Sequence, residues 1–228
     1  MGIMSKVFGG RAEKAGPYLF KELSQQFLDG VAKALADSGF KRRGRSYAFV
    51  RPCASGSQVL HFPLSKYDDR FVVMPAVNVR FDALETFVNR YAVNRDEKTL
   101  KHKSSIGMTL GELAGQAEPL RWTIRSGSDV DKALPEIDRL IRDAGLPYFE
   151  RFQSLEALYE IVCNRGEQGH IPGNAERAIN CVALAHLTSQ SDRIPDIVQH
   201  WRTVFADTSD ASATFFEGFY RNYSRNHA

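Results

Sequence analysis

"SQVLHFPLSKYDDRFVVMPAVNVRF", residues 57–81, alternates apolar and polar side chains on either side of the short polar break Tyr67-Asp68-Asp69-Arg70. Leu60, Phe62 and Leu64 fall on one side and Val59, His61 and Pro63 on the other. Farther on, Phe71, Val73, Val77 and Val79 oppose Val72, Met74, Asn78 and Arg80. A period of two marks strands with one face toward a core and one toward solvent. Two Asp residues in a break of hairpin length predict that the two strands pair antiparallel. Pro63 and Pro75 each remove a ladder donor, which predicts a bulge or an edge position in each strand.

Two more strands are expected downstream, in "SSIGMTL" (Ile106, Met108 and Leu110 on one side) and "LRWTIRS" (Leu120, Trp122 and Ile124 on one side, Arg121, Thr123 and Arg125 on the other). Upstream, "PYLFKELSQQFLDGVAKALADSGF" places Phe20, Leu23, Phe27, Val31 and Leu35 three or four residues apart, the stripe of an amphipathic helix that Gly39 would end. Between the second and third strands, residues 81–103 suggest a short helix followed by a basic loop. After Asp129 the pattern turns helical: one helix is expected to stop at Gly145, another runs from Leu146 to Val162, and three follow the Gly-rich break around residues 164–174. The fold class is therefore α+β, an N-terminal helix on an antiparallel sheet of four or five strands with a helical C-terminal region. A domain of residues 1–165 with a helical extension of 166–228 is the expected division.

At 228 residues, with 43% hydrophobic and 25% charged residues, the chain has enough apolar material for a sizeable core. Thirty Lys and Arg against twenty-seven Asp and Glu give a net charge of +3, so any attraction for polyanions must be local. Cys53, Cys163 and Cys181 are odd in number and lack CxxC spacing, which suits a reducing compartment better than a disulfide framework. No run of some 18 uncharged apolar residues occurs, and the N-terminus has no apolar core of a signal peptide. A cytoplasmic protein without membrane partners is the expectation.

Gly39-Phe40-Lys41 leading into Gly44-Arg45-Ser46-Tyr47, the strand with Phe62, Ser65 and Lys66, the strand around Val77-Asn78-Val79, and Leu146-Pro147-Tyr148-Phe149 follow one another in an order that resembles an uncharacterised bacterial family, domain of unknown function 4304. The resemblance covers roughly residues 18–165. It implies an α+β domain with an antiparallel sheet and carries no activity to transfer.

Two groups of residues invite a functional reading. The segment "SGFKRRGRSYAFVR", residues 38–51, holds Lys41, Arg42, Arg43, Arg45 and Arg51 with no acidic residue, beside Tyr47 and Phe49. Such cations neutralise phosphates and such rings stack on bases, so nucleic-acid binding is one reading and a solvated turn is the other. On the polar side of the sheet, alternation gathers His61, Asn78, Arg80 and Arg121, a set able to hold a carboxylate or phosphate, against the plain reading of a solvent-facing sheet surface. The aromatic residues of the tail, Trp201, Phe205, Phe215, Phe216, Phe219, Tyr220 and Tyr223, exceed what one small helix needs, and any left exposed would mark a partner surface.

Other chemistry finds no pattern. The histidines at 61, 102, 170, 186, 200 and 227 show no metal-ligand spacing, no GxSxG elbow is present, and the Gly-rich pieces do not follow strands. Asp68-Asp69 reads as a turn and Asp129 with Asp131 as helix-capping charge. No catalytic residue, metal or cofactor is assigned. The function expected is a non-enzymatic module that binds another protein, in the manner of bacterial immunity or antitoxin proteins. The alternatives are a nucleic-acid binder using the basic segment 41–51 and an enzyme acting on an anionic small molecule.

Overall fold

A computed structural model of the chain describes residues 17–93, 103–116, 118–166, 168–171, 173–206 and 211–227. The loop expected near residues 94–102, with His102, and the N-terminal Gly-rich piece lie outside the described residues. The architecture is α+β: an N-terminal helix, two antiparallel sheets and a helical C-terminal region.

Helix α1 (Pro17–Ala34) opens the described chain, and a 3-10 turn follows it to Gly39, whose φ is +77°. The main sheet has five strands in the order β1 (Lys41–Arg42), β2 (Ala48–Cys53), β3 (Gly56–His61), β6 (Ala76–Phe81), β7 (Ile106–Thr109). A second sheet of three strands holds β4 (Leu64–Lys66), β5 (Phe71–Val73) and β8 (Trp122–Ile124).

The stretch from 57 to 81 is thus one long antiparallel ribbon shared between two sheets. Leu64 pairs with Val73 and Lys66 with Phe71 around the Tyr67–Arg70 hairpin, whose Tyr67 N–H donates to the Arg70 carbonyl at 2.8 Å. Lower in the ribbon, Leu60 pairs with Val77 and Gly56 with Phe81. The two prolines do more than bulge or mark an edge. Pro63 and Pro75 stand where the strands break between one sheet and the other, since a residue with no N–H costs least where the ladder is already interrupted.

Register decides the faces. Phe49, Leu60, Val77, Val79, Phe81 and Ile106 form the inner surface of the main sheet and are all buried. The α1 stripe lies against the junction of the two sheets: Phe27 meets Phe62 and Phe71 edge-on at 6.0 and 6.2 Å, and Phe20 meets Phe71 at 5.6 Å. Edge-to-face pairs of this kind add about 0.5–1.5 kcal/mol each to the area they bury.

The C-terminal half is a run of helices. Short α3 (Leu110–Leu113) follows α2 (Asp82–Tyr91), and α4 (Gly127–Leu140) packs on α1. Gly145 does not end this helix, contrary to the sequence expectation. The chain instead takes one wide π turn at Ile141–Gly145, with the Leu146 N–H donating to the Ile141 carbonyl, and continues as α5 (Leu146–Arg151). The turn has two physical reasons. Pro147 cannot donate to residue 143 and would crowd its carbonyl in a regular helix. Gly145 lets the helix touch the sheet, because a Cβ there would lie 3.3 Å from Val77 Cγ1 and from Leu110 Cδ2.

Helix α6 (Leu155–Tyr159) and its own π turn (Glu160–Asn164) lead to α7 (Asn174–Leu187), α8 (Ile194–Ala206) and α9 (Ser212–Ser224), matching the three tail helices expected. Helix α7 is the hub, packing on α2, α6, α8 and α9. Buried side chains on both sides of Gly166 belong to one continuous core, with Phe149, Val162, Leu184, Trp201 and Phe219 among its members. Among the described residues no helix is long and apolar enough to cross a membrane.

Candidate functional site

The outer face of the main sheet is built by the same register that builds the core. Lys41 pairs with Val50, Val50 with Val59 and Val59 with Asn78, so these four share a row across the strands. In the next row Ala48 pairs with His61 and His61 with Ala76, and the Arg43 N–H donates to the Ala48 carbonyl at 2.9 Å, extending that row by one residue. A third row carries Pro52, Ser57 and Arg80. His61 therefore lies diagonal to Asn78, roughly 7–8 Å away, and Asn78 and Arg80 are about 7 Å apart along β6.

The sheet thus brings together three of the four residues that alternation selected, and it adds two cations from the basic segment. Arg121 is not with them. It precedes β8 in the second sheet and is exposed there. No carboxylate and no aromatic ring other than the His61 imidazole occurs among the strand residues of this outer face, while its rim carries Lys41 and Arg43, both exposed.

The individual side chains differ in how free they are. His61 is exposed at the end of β3, yet its pKa lies below the ordinary value, first because its ring is partly desolvated and second because Arg43 opposes a second positive charge. Arg80 is engaged: its Nε donates to Asp82 Oδ1 at 2.8 Å and one terminal nitrogen to the Lys103 carbonyl at 2.7 Å, which ties β6 to the start of α2. Asn78 stands beside Gly107, where a side chain would collide with its Oδ1.

The basic segment divides into structural and surface members. Arg51 is structural: it donates to Gln58 Oε1 at 2.7 Å and to the Ser38 carbonyl at 2.9 Å, with its guanidinium 4.6 Å from the centre of the Phe40 ring. Arg42 donates to the Ser46 carbonyl at 3.2 Å and reaches Gln25. Lys41, Arg43 and Arg45 are exposed, the last at the tip of the turn that Ser46 closes through its N–H to the Arg43 carbonyl. Phe49 is not available for stacking on a base, because it points to the core side and packs edge-on against Phe62 at 5.7 Å. Tyr47 is half-buried and also packs against the core.

Sequence reading missed that the two groups are one surface. The signal was present in principle, since Lys41 and Arg43 have the same strand parity; the two-residue length of β1 hid it. Comparison with family models, with curated proteins and with solved structures returns no match.

Proposed function

We propose that this protein is a non-enzymatic binding module that holds an acidic surface of another protein on the outer face of its five-stranded sheet. The observation that carries this reading is the shared side of Lys41, Arg43, His61 and Asn78, with no acidic strand residue among them. A sheet face has little concavity to enclose a small molecule, and with Ala48 and Val59 buried at its centre and Lys41, Arg43 and His61 exposed around them it suits a contact in which rim charges steer the partner and set its orientation. A single-stranded nucleic acid would want several rings to stack on, and this face offers one, the imidazole of His61.

The experiment is capture from lysate of the native host by the wild-type chain and by the double charge reversal Lys41→Glu/Arg43→Glu, each with and without nuclease. Both side chains are exposed, so the variant keeps its fold. The reading expects acidic proteins that are retained by the wild type, survive nuclease and are lost with the variant. Capture that disappears on nuclease treatment, or that the reversal leaves intact, would reject it.

A further inference from the structure

Three large apolar side chains stand exposed among the described residues, and two of them, Phe215 (57%) and Val93 (38%), line the same groove. The groove has a volume of about 740 Å³ and runs along the outward side of α9, where Thr214, Phe215, Gly218, Arg221, Asn222 and Arg225 recur at helical spacing. The opposite side of α9 supplies Phe216, Phe219 and Tyr223 to the core, so Phe215 is not needed to seat the helix. Gly218 keeps the floor low: a Cβ there would lie 3.0 Å from Val93 Cγ2.

The charges beside this apolar strip are net positive. Glu217, the acidic residue of the groove lining, is occupied by Arg202 through two hydrogen bonds of 2.7 and 2.9 Å. Arg221 and Arg225 are exposed and form no ion pair among the described residues. An apolar anchor flanked by two exposed guanidiniums, of which Arg221 also acts on Glu217 and lowers its pKa, is complementary to a segment that is apolar on one side and acidic beside it. From Thr214 to Arg225 the helix rises ~16 Å, the length of about three turns of a bound helix.

We propose that this groove binds an amphipathic helix of a partner protein, with its apolar side on Phe215 and Val93 and its Asp or Glu residues on Arg221 and Arg225. None of the lining residues belongs to the sheet, so this surface is separate from the one assigned above.

The test is fluorescence anisotropy with a labelled helical peptide of about 12 residues, ~18 Å long, bearing leucines on one side and glutamates on its flanks. The same peptide with lysine flanks is the control. The glutamate peptide is expected to bind about tenfold or more tightly than the lysine peptide. Phe215→Glu is expected to lower its affinity by at least about tenfold, and Arg221→Glu/Arg225→Glu to reverse the preference. Lys41→Glu/Arg43→Glu should leave it unchanged, which separates this groove from the sheet face. Equal affinity for both peptides, no binding of either, or full affinity in Phe215→Glu would overturn the proposal. So would sedimentation of the wild type as a dimer that Phe215→Glu dissociates, because the occupant would then be a second copy of this chain.

Discussion

Glu85 shows what single residues contribute to the balance of this fold. It lies in the first turn of α2 with 1% of its surface exposed, and its Oε2 is sealed from solvent without a hydrogen-bond partner. Two effects oppose each other there. The positive end of the helix dipole favours a carboxylate by about 0.3–1 kcal/mol, whereas a buried unsatisfied polar group costs about 1–3 kcal/mol, and more if charged. The second wins, so Glu85→Met, which keeps the side-chain length and removes the acceptor, is expected to raise stability by about 1–2 kcal/mol in urea titration. A less stable variant would mean that the carboxylate earns its place through an interaction with a ligand or partner. Side-chain parity made the outward side of His61 and Asn78 legible in the sequence, but nothing in it announced that Arg51 would stack on Phe40 or that Arg80 would be tied to Asp82 and Lys103. Those contacts join residues whose separation in space depends on register and on loop paths, which a local pattern does not contain.

At the scale of elements, periodicity was a sound guide to type and a poor one to continuity. The alternation from 57 to 81 located both arms of the ribbon and the sides of nearly every residue in it, because one buried face enforces a period of two. It did not locate the breaks at Pro63 and Pro75 that divide the ribbon between two sheets, since a bulge and a sheet change present the same missing donor. Gly145 misled for a related reason: glycine ends helices where φ is positive, but here φ is −69° and the residue is small so that the helix can approach Val77. Gly56 makes the opposite case. Its φ is +147°, and a Cβ would collide with the carbonyl oxygen of Arg80 on the neighbouring strand. Backbone cannot swing aside as a side-chain tip can, so Gly56→Ala is expected to cost about 2–4 kcal/mol through strain in the β2–β3 hairpin and its pairing with β6. Thermal denaturation followed by far-ultraviolet circular dichroism will measure it, and a variant as stable as the wild type would refute the close approach.

For the whole molecule, the question is what fastens the C-terminal helices to the sheet domain, and the aromatic cluster between α2, α7 and α9 gives an answer that depends on pH. His186 of α7 lies 4.7 Å from the Phe87 ring and 4.6 Å from the His227 ring, and its Nδ1 shares a 3.2 Å hydrogen bond with the Tyr223 hydroxyl. His227 in turn holds the Tyr91 hydroxyl at 2.9 Å. Among the described residues, the side chains that face His186 are the Phe87 ring, the Tyr223 phenol and the His227 imidazole, with the Tyr91 phenol behind His227, and none of them is a carboxylate. Its pKa is held below the ordinary 6.5, by desolvation first and by His227 second. The folded state therefore takes up the proton later than the unfolded chain as pH falls. Protons bound preferentially by the unfolded state make stability rise with pH, so stability is full above 6.5 and declines as pH drops through 6.5 toward the lower folded value. His61, shifted in the same direction by desolvation and Arg43, adds to the decline from the sheet side. Urea titrations between pH 8 and pH 5 should show this slope well before carboxylates such as Glu217, held low by Arg202, begin to protonate. His186→Asn retains a hydrogen-bonding atom for Tyr223 and removes the titration, so it should flatten the slope, and adding His61→Asn should flatten it further. If the double variant loses stability over the same range as steeply as the wild type, the decline does not come from His186 and His61, and the apolar packing of Phe87, Phe219 and Tyr223 holds the tail without a pH-dependent contribution from either.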